Sequence, residues 1–446
     1  MRIIIAGAGE VGTHLAKLLS NENQDIIVVD EDNDKLDRIS SYNLMTVCGR
    51  PTSFKTLSRI DVGSADLFIA VTPYETENLC ACEMAKFYGA KRTVARIDNY
   101  EYLSDEARRM FRHNGVDELI YPEYYAAREM AIALEHTWVR HWFELCHGAL
   151  VMVGVKMRDK SRLIDTFLYD LPKLSGGNFH VSVIKRKNTV IIPRGSDTIK
   201  RNDIVYFVTT KEHVEQLREL CGKTDVKVDR IMIMGGSRIA MQLVYACGGK
   251  YHYRIVEQNR ERARAVAEKL DKKYVEVIYG DGRDIDLLKE EGISDCQAFV
   301  ALTGSSETNI LGCLTAKSLG CQKTIAEVET IQFINEAENL NIGTVVNKKL
   351  QSSSKIFQLL LDFDTSTDKC LALSDAEVAE IEVRDGAKIT RDVIKRLSLP
   401  SEMTLAGLIR NGVGQLIHGD TQIQAGDHVV VFCLNGGLHK IEKLFS

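Results

Sequence analysis

Two stretches far apart in the chain carry the same pattern. Ile3-Ile4-Ile5-Ala6-Gly7 is answered by Ile231-Met232-Ile233-Met234-Gly235, and Val28-Val29-Asp30 by Ile255-Val256-Glu257. Ala70-Val71-Thr72 with Glu77-Asn78 matches Ala301-Leu302-Thr303 with Thr308-Asn309, and Val94-Ala95-Arg96 matches Ile325-Ala326-Glu327. Blocks that recur in one order and in nearly constant register mark a tandem duplication. A chain of 446 residues also exceeds what one hydrophobic core organises, so each copy builds its own.

The first copy opens with an apolar, β-branched run too short for a helix. It turns directly into Gly7-Ala8-Gly9-Glu10-Val11-Gly12 and then into the helical spacing Val11, Leu15, Leu18, Leu19. Strand, tight turn and helix follow. Gly7 supplies the turn, Gly9 lets backbone approach a pyrophosphate without a Cβ in the way, and Gly12 lets helix and strand pack closely. The helix N-terminus then faces the anion. A second buried strand, 25–30, ends in Asp30, placed to accept hydrogen bonds from the ribose hydroxyls of an adenosine and to repel a 2′-phosphate; NAD is expected over NADP.

The pattern continues as helix 33–41, strand 44–48, helix 53–60, strand 66–71, helix 76–88 and strand 92–97. Such alternation predicts an α/β, doubly wound parallel sheet of Rossmann-like type, which binds ligands at the carboxyl ends of its strands. In the first copy those ends carry Gly49-Arg50, Thr72-Pro73 and Arg96-Ile97-Asp98. The second copy is altered. Gly235 persists, but Ser237 replaces the second fingerprint glycine and Ala240 the third. Ser237 brings a Cβ toward the phosphates together with a hydroxyl able to bond them. Arg238, just before Ile239 at the helix start, is placed to pair with phosphate oxygens. Glu327 stands where Arg96 stands in the first copy, and Asp281 where the first copy has Arg50. The two lobes are therefore expected to prefer different ligands or to bind with different affinity.

After each lobe comes a smaller α+β module. The first contains alternating strand patterns at 150–155, 181–185, 190–193 and 204–209, with counterparts in 378–434. Its Gly195-x-Asp197…Asp203 signature recurs as Gly419-Asp420…Asp427, Leu171-Pro172 recurs as Leu399-Pro400, and helices are expected at 212–220 and 437–445. Two joining segments, 122–145 and 347–363, read as long amphipathic helices. The apolar face of the first (Tyr125, Ala126, Met130, Ile132, Ala133, Leu134, Trp138, Trp142) is larger than a linker requires, so it is expected to pack on another lobe or another copy. The expected divisions are 1–121, 122–147, 148–224, 225–346, 347–368 and 369–446.

Catalytic machinery is not legible. The eleven histidines fall on predicted helix surfaces or in the β modules, none pairs with a carboxylate at a strand end in both copies, and no Ser–His–Asp, metal-ligand or Walker-type pattern appears. Two nucleotide lobes without an acid–base pair suggest a sensor; the alternative is an NAD-dependent oxidoreductase in which the second lobe is the substrate domain. A formal net charge of −5 argues against general nucleic-acid binding. No apolar run has bilayer length, and Met1-Arg2 leads straight into a strand, so an intracellular chain is expected. Eleven scattered cysteines fit a reducing compartment, and Cys80-x-Cys82 has the wrong spacing for a zinc knuckle.

In the order given, Gly7-Ala-Gly9-Glu-Val-Gly12, Val-Val-Asp30, Ala-Val-Thr72…Glu77-Asn78, Val-Ala-Arg96 and the Gly195…Asp203 module, the chain resembles the RCK family of potassium-conductance regulators, and the similarity covers essentially all of it. What the resemblance implies is a pair of RCK-N lobes, each followed by an RCK-C module, in a cytoplasmic subunit peripheral to the inner face of the cell membrane. Such a subunit self-associates as a dimer or tetramer, forming a ring beneath a TrkH-like potassium channel, and NAD(H) and ATP or ADP reshape the ring. By the family pattern, nucleotide contacts fall on Gly7, Ala8, Gly9, Glu10, Val11, Gly12, Asp30, Thr72, Pro73 and Arg96, with Arg50 standing where the family carries Asp. In the second lobe they fall on Gly235, Gly236, Ser237, Arg238, Ile239, Glu257, Asp281 and Thr303.

Overall fold

The computed structural model describes residues 1–20, 24–187, 189–361, 367–373, 376–434 and 438–445. The first lobe runs β1 (Arg2–Ala6), α1 (Glu10–Ser20), β2 (Asp25–Asp30), α2 (Asn33–Asp37), β3 (Met45–Cys48), α3 (Phe54–Arg59), β4 (Leu67–Ala70), α4 (Glu75–Tyr88), β5 (Arg92–Arg96), α5 (Asp105–His113) and β6 (Glu118–Ile120). Its strands lie in the order β3-β2-β1-β4-β5-β6, all pairs parallel. Ile3–Ala6 and Leu67–Ala70 are wholly buried, as strands covered by helices on both faces must be. Reversal of the winding direction between β1 and β4 leaves a crevice at the carboxyl edge, where a doubly wound sheet takes its ligand.

From Pro122 the chain forms α6 (Pro122–Glu135) and then departs from the sequence expectation. The helix foreseen over 122–145 stops at Glu135, and His141–Leu145 is a strand, β7, paired antiparallel with β8 (Leu150–Lys156). Aromatic residues at helical spacing explain the misreading. Trp142 serves the small module, stacking on His136 with ring centroids 3.8 Å apart, and β-sheet pairing with β8 overrides the local periodicity. The module continues with α7 (Leu171–Ser175), β9 (Phe179–Arg186), β10 (Thr189–Ile191), β11 (Ile204–Thr209) and α8 (Val214–Leu220), in sheet order β10-β9-β11-β8-β7.

The second lobe repeats the first: β12 (Arg230–Met234), α9 (Arg238–Cys247), β13 (His252–Glu257), α10 (Arg260–Lys269), β14 (Val275–Tyr279), α11 (Ile285–Glu290), β15 (Ala298–Ala301), α12 (Ser306–Ser318), β16 (Lys323–Glu327), α13 (Ile334–Asn339) and β17 (Thr344–Val346). Its parallel order β14-β13-β12-β15-β16-β17 is that of the first lobe. α14 (Lys348–Leu361) matches the second expected long helix; 362–363 lie outside the described residues. The last module has β18 (Thr367–Leu373), β19 (Ala376–Glu382), β20 (Met403–Arg410), β21 (Val413–Leu416), β22 (His428–Leu434) and α15 (Leu438–Phe445), ordered β18-β19-β22-β20-β21. Residue 437, expected to open that helix, lies outside the described residues.

The repeated Gly…Asp signature is structural. Asp203 takes a forked guanidinium bond from Arg186 (3.0 and 2.8 Å) and a bond from the Lys200 amide. Asp427 takes the same set from Arg410 (2.8 and 2.7 Å) and the Gln424 amide. Each buried carboxylate thus closes the loop that re-enters its sheet.

The two long helices leave the lobes that precede them. Ala126, Ala127, Met130, Ala133 and Leu134 of α6 are buried in one core with Ile231, Ile233, Leu243, Tyr253 and Ile255 of the second lobe, while Ile132 and Trp138 pack against the first small module. The expectation that this face packs on another lobe is thereby met. α14 packs on α1, so the two helices are exchanged in the manner of a swap, and each chain crossing is followed by burial on the far side. At roughly 1.5–3 kcal/mol for a fully buried Leu- or Met-sized side chain, Met130 and Leu134 alone make α6 an integral part of the second lobe.

Candidate functional site

The carboxyl edge of the first lobe is built from the β1–α1 turn outward. Gly7 has φ +110°, and a Cβ there would come within 2.9 Å of the Thr72 amide nitrogen. Its own amide donates to the Val29 carbonyl at 2.8 Å, fixing the turn against β2. A Cβ on Gly12 would stand 1.8 Å from the Gly7 carbonyl oxygen, so only glycine permits this approach of helix to turn. Gly9 differs: a Cβ there would meet nothing within 4 Å. The space over Gly9, at the N-terminus of α1, is the volume a pyrophosphate needs. Val11 is buried in the core, so its part in a phosphate cradle is confined to its amide; Ala8 is likewise buried.

Asp30 ends β2 with both carboxylate oxygens held. Oδ2 accepts from the Ala8 amide at 2.6 Å and Oδ1 from the Asp32 amide at 2.9 Å, while Lys35 Nζ lies 3.9 Å away. The side chain keeps 14% of its surface exposed, and each oxygen retains a lone pair for a further donor. Across the switch point, Thr72 follows β4 with exposed Pro73 after it. Arg96 ends β5 and pairs with Asp98 at 3.1 Å. Arg50 lies farther out, bonded to Glu31 at 2.7 Å on a solvated edge. Its charge is thus matched by the neighbour of Asp30 rather than directed into the crevice.

Sequence reasoning missed the residue that joins these strands. Asn78 accepts from the Thr72 amide at 2.8 Å and donates to the carbonyls of Thr72 and Arg96, both at 3.0 Å, with 1% of its surface exposed. Asn309 does the same in the second lobe, accepting from the Thr303 amide and donating to the carbonyls of Thr303 and Glu327. The signal was present: the asparagine recurs six residues after the threonine in both copies. A second brace joins α4 to the loop after β5, where Glu75 accepts from the amides of Asp98 and Asn99. Ser306 takes that position in the second lobe and accepts from Glu329 and Thr330.

The second lobe keeps the frame and changes the lining. Gly235 has φ +102° and bonds the Val256 carbonyl, as Gly7 bonds Val29. Glu257 accepts from the Gly236 amide at 2.8 Å and the Asn259 amide at 2.8 Å, but its longer side chain is only 3% exposed and Arg262 lies 3.7 Å from it. The Ser237 hydroxyl accepts from the Ala240 amide at 3.3 Å as the N-cap of α9, which leaves its O–H free to donate. It caps the helix and keeps a donor for an oxygen of a ligand. Ile239 is buried and offers its amide alone. Asp281 is engaged by the Arg283 guanidinium at 2.7–3.2 Å, which holds its carboxyl below the usual range on an exposed surface, so it faces its neighbour rather than the cradle. A cavity of about 330 Å³ lies against the turn, lined by Gly236, Ser237, Arg238, Arg262 and Lys269. Its cations suit an anionic ligand group.

Burial, with Lys17 adding, pushes the His14 imidazole on α1 down to about 4, so it is neutral at pH 7. Among the described residues no group of three or more His, Cys, Asp or Glu is placed to hold a metal ion. Nor is any helix among them long and apolar enough to cross a membrane.

Family models described as the TrkA-N domain match residues 3–122 and 231–348, and models described as the TrkA-C domain match residues 152–222 and 378–446. The chain belongs to the TrkA family. This TrkA-family chain is 29% identical along its whole length to the Trk system potassium uptake protein TrkA of Azorhizobium caulinodans, of which it covers 98%. It is 30% identical to Trk system potassium uptake protein TrkA homolog 1 of Methanosarcina mazei, with 100% of each chain covered. Among solved structures, the GsuK RCK domain aligns with a TM-score of 0.60 at 14% identity, covering 100% of this chain and 94% of that one. The GsuK channel bound to NAD also gives 0.60 at 14% identity, covering 100% and 78%. At such identity the likeness establishes the fold of the TrkA-family chain, two RCK-N lobes and two RCK-C modules, and the fold only.

Proposed function

We propose that this chain is the cytoplasmic regulatory subunit of a Trk-type potassium uptake system, sensing nucleotides at the carboxyl edges of its two lobes. One observation carries the reading: Gly9 leaves open space at the N-terminus of α1, while Asp30, anchored by the Ala8 amide, keeps lone pairs free for ribose hydroxyls. That pairing suits NAD(H) in the first lobe. In the second, the basic cavity beside Arg238 and Arg262 suits the phosphates of ATP or ADP. Relatives named as Trk potassium uptake proteins over the full length, and a GsuK channel solved with NAD, support the reading.

The nucleotide is a signal in this reading, with no bond made or broken in it. Gly7, Ala8, Gly9, Glu10, Val11 and Gly12 cradle the pyrophosphate, Asp30 takes the ribose, and Thr72, Pro73 and Arg96 face the far half of the ligand, with Arg50 at the rim. In the second lobe Gly235, Gly236, Arg238 and Ile239 present amides and charge, Ser237 holds the helix start, and Glu257, Asp281 and Thr303 flank them. The subunit self-associates as a dimer or tetramer, lies on the inner face of the cell membrane and gates a TrkH-type channel. A ligand gates only by binding two shapes of the assembly with different affinity.

The test is Asp30→Ala. NADH affinity measured by titration calorimetry should fall at least tenfold, and potassium uptake in cells carrying the variant should lose its dependence on the nucleotide. Steady consumption of NADH by the purified protein with any carbonyl substrate would instead make it an oxidoreductase.

A further inference from the structure

We propose that the junction of the first small module with the second lobe holds an oxyanion of the phosphate class, gripped by Arg140, Arg158 and Lys317. Arg140 directly precedes β7, and its amide donates to the Gly154 carbonyl at 2.8 Å, which sets it beside the end of β8, where Lys156 and Arg158 emerge. Opposite stands the C-terminal end of α13, with Asn341 in the left-handed region at φ +60°. Lys156 Nζ donates to the Glu338 carbonyl at 2.7 Å, Lys317 Nζ to the Asn341 carbonyl, and Arg140 Nη2 to Asn341 Oδ1 at 3.2 Å. One cation answers the partial charge of a helix C-terminus. Three on a six-residue helix are an excess. Lys223 adds a fourth, bonded to the Lys156 carbonyl at 2.6 Å.

The nearby carboxylates do not balance them. Glu338 is taken by Lys185 at 2.7 Å and Asp159 by Arg201 at 2.7 Å, while the charged Asp225 carboxylate accepts from the Thr137 hydroxyl at 2.8 Å rather than from any of these cations. Burial pushes Glu129 up to about 7. Burial is the main cause that brings Arg140 down to about 10 and Lys156, Lys223 and Lys317 down to about 8; the charges of Arg140 and Arg158 add to it at the lysines, and at Arg140 Glu338 partly offsets it while the charge of Arg158 adds. Most telling, Arg140 Nη1 and Arg158 Nη2 are buried and have no hydrogen-bond partner among the described residues. An unsatisfied buried donor on a charged group is costly, and a guanidinium fork is shaped for the oxygens of a phosphate. A dianion placed there satisfies both donors and relieves the repulsion.

The site is separate from the nucleotide edge. α12 has Ser306 at its start, three residues after Thr303, and Lys317 near its end, roughly 16 Å apart at 1.5 Å per residue. An anion at Lys317 therefore stiffens the module against the far end of the helix that begins at the second nucleotide edge.

The experiment is calorimetric titration of the full-length protein with inorganic phosphate at constant ionic strength, repeated with ATP on protein already saturated with NADH. Saturable phosphate binding that weakens at least tenfold in both Arg158→Gln and Lys317→Gln, with NADH affinity unchanged, is the expected result and marks the free ion. ATP binding with the same dependence on both variants marks a phosphate carried by a nucleotide and equally supports the site. Chloride competing as well as phosphate, or binding unchanged in both variants, overturns it. A far-UV circular dichroism spectrum and a thermal midpoint like the parent's show that the variants fold.

Discussion

Lys349 Nζ lies 2.5 Å from Glu10 Oε2. Glu10 belongs to the glycine turn and opens α1; Lys349 belongs to α14, the long helix that follows the second lobe. The contact therefore ties the glycine turn of the first lobe to an element whose sequence neighbours lie in the other half of the chain. Below it Ser352, Ser353, Ile356 and Phe357 are buried, so α14 is held by apolar packing and the ion pair adds direction rather than adhesion.

Because Glu10 is more than half exposed, the pair contributes at most about 1 kcal/mol to stability. Lys349→Gln should leave the thermal midpoint within a few degrees and NADH affinity within about threefold, yet diminish the change in potassium flux produced by NADH. Flux measured with and without NADH in variant and parent decides it; an undiminished response refutes this route of coupling.

The fingerprint glycines should separate by role. Gly12→Ala puts a carbon against the Gly7 carbonyl and should lower stability by several kcal/mol, since helix and turn must part. Gly9→Ala meets no atom of the protein and should fold as the parent does while NADH binding weakens tenfold or more. Chemical denaturation and titration of both variants test this; equal loss of stability in the two would show that Gly9 serves the fold alone.

How far the chain could be read from its letters follows from which contacts are local. The lobes were legible because a buried parallel strand must be an apolar run and because Gly7 and Gly12 answer demands set within a dozen residues. Asp30 was legible through its distance from that turn. The strand His141–Leu145 was not, because Trp138 and Trp142 also fit a helical stripe, and only β8, placed beside them by folding, selects the extended form. Asn78 escaped for a related reason: its recurrence six residues after the threonine is visible in both copies, but its role is not, because its partners are backbone groups of Thr72 and Arg96 that only the sheet brings together. Likewise Ser237 offers a hydroxyl in sequence and an N-cap in structure.

Asn78→Ala should therefore be severe. Three hydrogen bonds in a buried site are lost and two carbonyls and an amide are left without partners, a cost of about 2–4 kcal/mol even after some relaxation. Asn309→Ala should cost a similar amount in the second lobe. Urea denaturation of each, followed by NADH titration at low denaturant, distinguishes this brace from a direct ligand contact: a variant of parental stability with no NADH binding would assign Asn78 to the ligand instead.

The second small module carries a charge whose pH dependence has a definite sign. Burial raises the Asp427 carboxyl, but the Arg410 fork, the Gln424 amide and the charge of His428 outweigh it and leave the group below its ordinary value. A carboxyl held lower in the folded state than in the unfolded chain contributes stability that is fully present above the unfolded value and lost as pH falls through the folded one. Acid unfolding of this module should accordingly begin just below the ordinary carboxylate range. Arg410→Gln removes the fork, lifts the folded value toward that of the unfolded chain and flattens the curve. Thermal midpoints of parent and variant between pH 3 and pH 7 should converge at the acid end and diverge toward neutrality; parallel curves would show that Asp427 is held by burial and backbone alone.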